Sequence, residues 1–134
     1  MAIPKVEPRE TGTDRFPCVL VVDDDPSVRE LLTDTLSEGG FTVLEAADGR
    51  EAIHQIKGQH VDLVITDLVM PEQEGMETIR QIRREFPQIK VIAISGYQRG
   101  EYLYQAGLLG ASATIRKPFS LDVVLETVAK VLES

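Results

Sequence analysis

From residue 18 onward the chain alternates between two hydrophobic rhythms. Short apolar, β-branched runs recur at residues 18–22, 41–46, 61–66, 90–95 and 111–116. The first, third and fourth are almost wholly apolar, as strands covered on both faces should be. Between them, apolar residues fall three and four apart. Val28, Leu31, Leu32, Thr35 and Leu36 form one helical stripe, stopped by Gly39-Gly40. Ala52, Ile53 and Ile56 form a second, closed by Gly58. Met76, Ile79, Ile82, Arg83 and Phe86 form a third, ended by Pro87. Residues 99–109 make a weaker fourth, interrupted by Gly100 and Gly107, and Leu121, Val124, Leu125, Val128, Val131 and Leu132 make a clear fifth.

Five β-α units in succession imply a parallel sheet with helices on both faces, joined by right-handed crossovers. Five strands suit the doubly wound, flavodoxin-like order 2-1-3-4-5, an α/β fold of (βα)5 type. Ligands of such sheets bind beyond the carboxyl ends of the strands, so the residues after each strand carry the chemistry. The first strand ends in Asp23, Asp24 and Asp25, the third in Asp67 and the fourth in Ser95. The fifth is followed at once by Lys117-Pro118. A parallel sheet brings all of these to one edge.

Several carboxylates at contact distance repel by about 4 kcal/mol per pair at an effective dielectric near 20. A raised pKa or a bound cation relieves that repulsion. Oxygen donors without cysteine or a usable histidine select a hard ion, Mg²⁺ before Zn²⁺. With Lys117 and the Ser95 hydroxyl beside the ion, the pocket suits a phosphoryl group. Asp25 is expected to cap the first helix, with Pro26 at its first position.

Composition narrows the setting. The 134 residues fit one domain, and 43% hydrophobic content is enough for one core. Residues 1–16, with Pro4, Pro8, Gly12 and alternating charges, read as a flexible tail or linker before a domain spanning 17–134. A net charge of −8 argues against direct nucleic-acid or anionic-membrane binding. Cys18 is the one cysteine and reads as a core residue; no run is long enough to cross a membrane, and a cytoplasmic protein is expected. His54 and His60 read as surface and loop residues, without the partners of a zinc site.

The segments VVDDDP, VITDLVMPEQEG, VIAISG and IRKPFS, in that order and spacing, resemble those of response-regulator receiver domains over residues 18 to about 133. The resemblance implies a phosphorylation-dependent signalling switch that catalyses its own phosphorylation and dephosphorylation. Asp67 would be the phosphoacceptor, taking the phosphoryl group from a phosphohistidine of a sensor histidine kinase or phosphotransfer protein. Asp24, Asp67 and the backbone carbonyl of Val69 would bind Mg²⁺, with Asp23 acting on it through water. Lys117 would pair with a phosphoryl oxygen, and Ser95 would move to donate a hydrogen bond to it. The Lys117-Pro118 bond would be cis. Output would pass through the face of the fourth helix, fifth strand and fifth helix, to a partner, a fused output domain or a second copy of the chain.

Some positions depart from the family pattern. Thr114 stands where the family usually has an aromatic ring coupled to the hydroxyl, which puts that coupling in question. Tyr97, Tyr102 and Tyr104 are candidates to replace it, but read more simply as packing residues. By the resemblance Val69 and Tyr97 would flank the path of the hydrolytic water, and neither accepts a proton well, so slow self-dephosphorylation is expected. Two alternatives stay open at this stage. One is a haloacid-dehalogenase-type phosphohydrolase with Asp23 as nucleophile, since Asp23 and Asp25 satisfy an Asp-x-Asp pattern. The other is a receiver that docks partners without switching. A flavodoxin is disfavoured, because the first strand lacks a Ser/Thr/Gly phosphate loop.

Overall fold

The computed structural model describes residues 16–68, 74–96 and 101–134, with the side chains of all but 74 and 101–103. Val69, Tyr97 and the expected tail, apart from Phe16, lie outside the described residues. The elements run β1 (Cys18–Val22), α1 (Pro26–Glu38), β2 (Thr42–Ala46), α2 (Gly49–Gly58), β3 (Leu63–Asp67), α3 (Glu74–Glu85), β4 (Lys90–Ser95), α4 (Glu101–Leu108), β5 (Ala113–Arg116) and α5 (Leu121–Glu133). All strand pairs are parallel, in the order β2-β1-β3-β4-β5. This is the doubly wound order expected from the alternation of strands and helices.

Strand alternation builds two cores. Val19 and Val21 of β1, Leu63 and Ile65 of β3, and Ile92 and Ile94 of β4 pack with residues of α1 and α5. Leu20, Val22, Val64, Val91 and Ala93 pack with residues of α2, α3 and α4. Successive side chains of a strand point to opposite faces, so a strand with helices on both sides is covered on both. β1 is accordingly apolar throughout, and β3 is apolar as far as Ile65, with Thr66 and Asp67 buried at its carboxyl end. Cys18 is buried in the second of these cores.

The helix ends follow local chemistry. Asp25 caps α1 by accepting the Ser27 N–H, with Pro26 at the first position. After Gly39, Gly40 turns the chain at φ 100°, in the left-handed region that glycine enters without steric cost. Asp48 caps α2 and Ser120 caps α5. Gly58 is the last helical residue of α2 rather than its cap, which is Gln59.

Some boundaries differ from those read from the apolar runs. β2 starts at Thr42 rather than at 41, and β5 at Ala113 rather than at 111. β3 starts at Leu63 rather than at 61 and runs on to Asp67. Just before the strand, the buried Asp62 carboxylate accepts the Cys18 N–H while the Asp62 N–H donates to the Cys18 carbonyl at 2.9 Å. Pairing therefore carries Asp67 itself on the last residue of β3, opposite Ile94.

Candidate functional site

The crossover point of the sheet lies between β1 and β3, whose last aligned pair is Val22 and Thr66. Each strand delivers carboxylates one residue later. Asp23 is 2% and Asp67 6% exposed, while Asp24 faces solvent. One oxygen from each of Asp23, Asp24 and Asp67 lies within 4.8 Å of the others. From beyond β5, Lys117 Nζ donates to Asp67 Oδ2 at 2.7 Å and stands 3.6 Å from Asp23 Oδ2. The Lys117 backbone N–H donates to the Ser95 carbonyl at 2.9 Å, which holds the ends of β4 and β5 side by side. Ser95 is fully buried there, and the Lys117–Pro118 bond is cis.

The electrostatics follow from this crowding. Burial pushes the Asp23 carboxyl above its ordinary value. The Asp25 N–H, donating to Asp23 Oδ1 at 2.9 Å, and the Lys117 charge pull it back, while Asp67 and Asp24 push it further up. Burial alone would lower the Lys117 ammonium. The hydrogen bond and charge of Asp67, aided by Asp23, outweigh burial and hold it above the usual lysine value. A cation shared between two buried carboxylates stays charged, and it neutralises only part of the cluster.

Among the described residues the donor set is three carboxylates, without sulfur or imidazole. His60 belongs to the opposite edge of the sheet, where its Nε2 lies 2.9 Å from Asp62 Oδ1. His54 is exposed on α2. Oxygen-only donors, two of them buried and one exposed, fit a hard divalent cation.

The fold thus brings together Asp23, Asp24, Asp67 and Lys117, with Ser95 adjoining. It does not bring Thr114 to them. Thr114 is exposed on the edge strand β5, paired with Ala93, well before the end that carries Lys117. Tyr104 is 71% exposed on α4, so it is a surface group and not the packing residue its pattern suggested. Sequence reasoning missed Arg29. Its Nη1 donates to the Asp23 carbonyl at 2.7 Å, and its Nε reaches Glu45 at 3.3 Å. An arginine one turn into the helix after an acidic loop was the available signal. Arg29 braces the loop that presents Asp23 and Asp24.

The family model described as the response regulator receiver domain matches residues 19–129. The chemotaxis protein CheY of Thermotoga maritima is 36% identical over 84% of this chain and 95% of its own length. The sensor kinase CckA of Brucella abortus is 38% identical over 96% of this chain, which spans 14% of that longer protein. The receiver domain of NtrX from Brucella abortus superposes with a TM-score of 0.83 at 30% identity, covering 87% of this chain and 98% of that one. An acidic cluster and a lysine gathered from three separate strand ends, on a sheet of order 2-1-3-4-5, place this chain in the response regulator receiver domain family.

Proposed function

We propose that the domain is a phosphorylation-dependent switch in which Asp67 is the phosphoacceptor. The observation that carries this is the Asp67 carboxylate itself. It sits at the end of a buried strand, bonded to Lys117 and crowded by Asp23 and Asp24. In the reaction an Asp67 oxygen attacks the phosphorus of a phosphohistidine on a sensor histidine kinase or phosphotransfer protein. The new P–O bond forms as the P–N bond breaks, and the imidazole nitrogen keeps the electron pair. Lys117 meets the charge on a phosphoryl oxygen, and Ser95 donates to another. The domain thereby catalyses its own phosphorylation and dephosphorylation.

Asp24 and Asp67, with the Val69 carbonyl, would hold Mg²⁺, and Asp23 would reach it through water. The ion would shield the incoming phosphoryl charge from the carboxylates and align the transfer. Family membership sets aside the hydrolase alternative, in which Asp23 was the nucleophile.

The output face in this reading is α4, β5 and α5. Tyr104 and Leu108, one turn apart on α4 and each 71% exposed, support it as a surface awaiting a partner. The partner is an output protein, a fused output domain or a second copy of this chain. Residues 17–134 form the receiver and 1–16 its tail or linker in this reading. Among the described residues no helix is long and apolar enough to cross a membrane.

The test is intact mass after incubation with Mg²⁺ and a small acyl-phosphate donor. One added phosphoryl group is expected on the wild type, and none on Asp67→Asn or with chelator present. An adduct that survives in Asp67→Asn would refute the assignment. No adduct on the wild type, with Mg²⁺ still bound, would leave a docking-only receiver.

A further inference from the structure

Gly75 lies in the first turn of α3 and is buried. A Cβ placed on it would stand 2.3 Å from the Asp67 carbonyl oxygen, 2.7 Å from Leu68 Cα and 3.1 Å from the Asp67 carbonyl carbon. Non-bonded carbon atoms rest at about 3.5–4.0 Å, so the shortfall is roughly 1 Å. The atoms in the way are backbone, which cannot rotate aside. Gly75 is helical, a conformation open to every residue. Space, rather than a special φ, therefore requires glycine here.

Neither side of this contact is free to retreat. α3 is pinned by Met76, Ile79 and Ile82, all buried in the core that includes Val64 and Leu68. The Asp67–Leu68 peptide is tied to the sheet by the Leu68 N–H, which donates to the Ile94 carbonyl at 2.9 Å. The Asp67 carbonyl also accepts the Thr66 hydroxyl at 3.1 Å. Beyond that peptide hangs the carboxylate bonded to Lys117 at 2.7 Å. A shift of about 1 Å would take that bond outside hydrogen-bonding range.

We propose that Gly75 is a positioning residue for Asp67: α3 seats directly on the Asp67–Leu68 peptide, and the missing side chain sets where the acceptor carboxylate stands. The proposal rests on Asp67 being the acceptor. α3 acts as a backstop against which the carboxylate is held for attack, and any side chain at 75 pushes the acceptor off line. Misplacing a reacting group by 1 Å costs about 10²-fold in rate.

The experiment compares Gly75→Ala with wild type, Gly58→Ala and Ile79→Val. At Gly58 a Cβ meets nothing within 4 Å, and Ile79→Val trims the core side of the same helix while adding no atom against the Asp67–Leu68 peptide. Phosphoryl uptake from the acyl-phosphate donor with Mg²⁺ is followed by intact mass, at a temperature where circular dichroism shows each variant folded. In parallel, the side-chain ammonium signal of Lys117 is followed by NMR, with metal and donor absent. Gly75→Ala is expected to take up phosphoryl about 10²-fold more slowly and to lose the protected Lys117 ammonium signal. Both controls are expected to keep the wild-type rate and signal.

Should Gly75→Ala not fold alone, it is made with Gly107→Ala, where open space in α4 makes alanine stabilising. A Gly75→Ala rate near that of the wild type would overturn the proposal. So would an intact Lys117 signal, or equal losses in Ile79→Val. Absence of uptake by the wild type itself would sink the acceptor assignment, while the Lys117 signal still decides the positioning.

Discussion

Replacing Asp23 with asparagine should make the metal-free protein more stable. Asp23 is a buried carboxylate with two others nearby, each offering an oxygen within 4.8 Å. At an effective dielectric of about 20, each such repulsion is worth at least about 3.5 kcal/mol before screening, and the attraction to Lys117 across 3.6 Å about 4.6 kcal/mol. Asp24 is exposed, so solvent screens its share. The balance still disfavours the charge by about 1–2 kcal/mol once burial is added. Asparagine keeps an oxygen for the Asp25 N–H and removes the charge. The melting temperature in chelator should rise by about 3–8 °C.

The pH dependence has a definite sign. The Asp23 pKa is raised above 3.8 by folding, so between that value and the folded one the native state holds a proton that the unfolded state has lost. Wild-type stability therefore falls as pH rises through that window and levels off above it. Asp23→Asn lacks this loss, so its advantage should be small in acid and full at neutral pH. Mg²⁺ should narrow or invert the gap, because only the wild type gains the full stabilisation of ion binding. Thermal melts in chelator across acid to neutral pH, then with added Mg²⁺, test all three statements. A variant that melts below wild type in chelator at neutral pH would refute the reasoning, as would a gap that ignores pH.

Two further predictions concern the helix cap and the dephosphorylation path. Ser120 accepts the Val123 N–H at 3.1 Å at the start of α5, so Ser120→Ala should cost about 1 kcal/mol in denaturant unfolding with phosphoryl uptake unchanged; a change below a few tenths would show the cap to be idle. Val69→Asn should shorten the phosphoryl lifetime, because an amide can orient the attacking water where valine cannot; equal lifetimes for the two proteins would remove Val69 from that role.

The alternation of apolar runs and helical stripes was enough to read the five β-α units, because burial on both faces keeps β1 apolar throughout and β3 apolar as far as Ile65. The cap at Asp25 was equally local, an oxygen within two residues of the N–H it accepts. The identity of the acidic cluster was legible because a parallel sheet must send its carboxyl ends to one edge, whatever the order of its strands. Distance was not legible. Lys117 and Asp67 are 50 residues apart in the chain and 2.7 Å apart in space. Their contact exists because β5 joins β4, which joins β3, and each step is a choice of neighbour and register.

The same limit hid Arg29 and Asp62. The acidic loop before α1 hints at Arg29, but only the folded chain shows it gripping a carbonyl of that loop, and shows Asp62 as a buried carboxylate closing the far edge. Gly75 shows the limit most sharply. As a letter it ends a motif, and as a helical residue it needs no glycine. Only when α3 lands on the peptide of Asp67 does the absence of a side chain become a requirement. The sequence by itself determined which groups this protein has and the edge on which they gather. The tertiary structure decided the contacts that fix where each stands, because close approach between distant segments is a property of packing, and no periodicity along the chain encodes it.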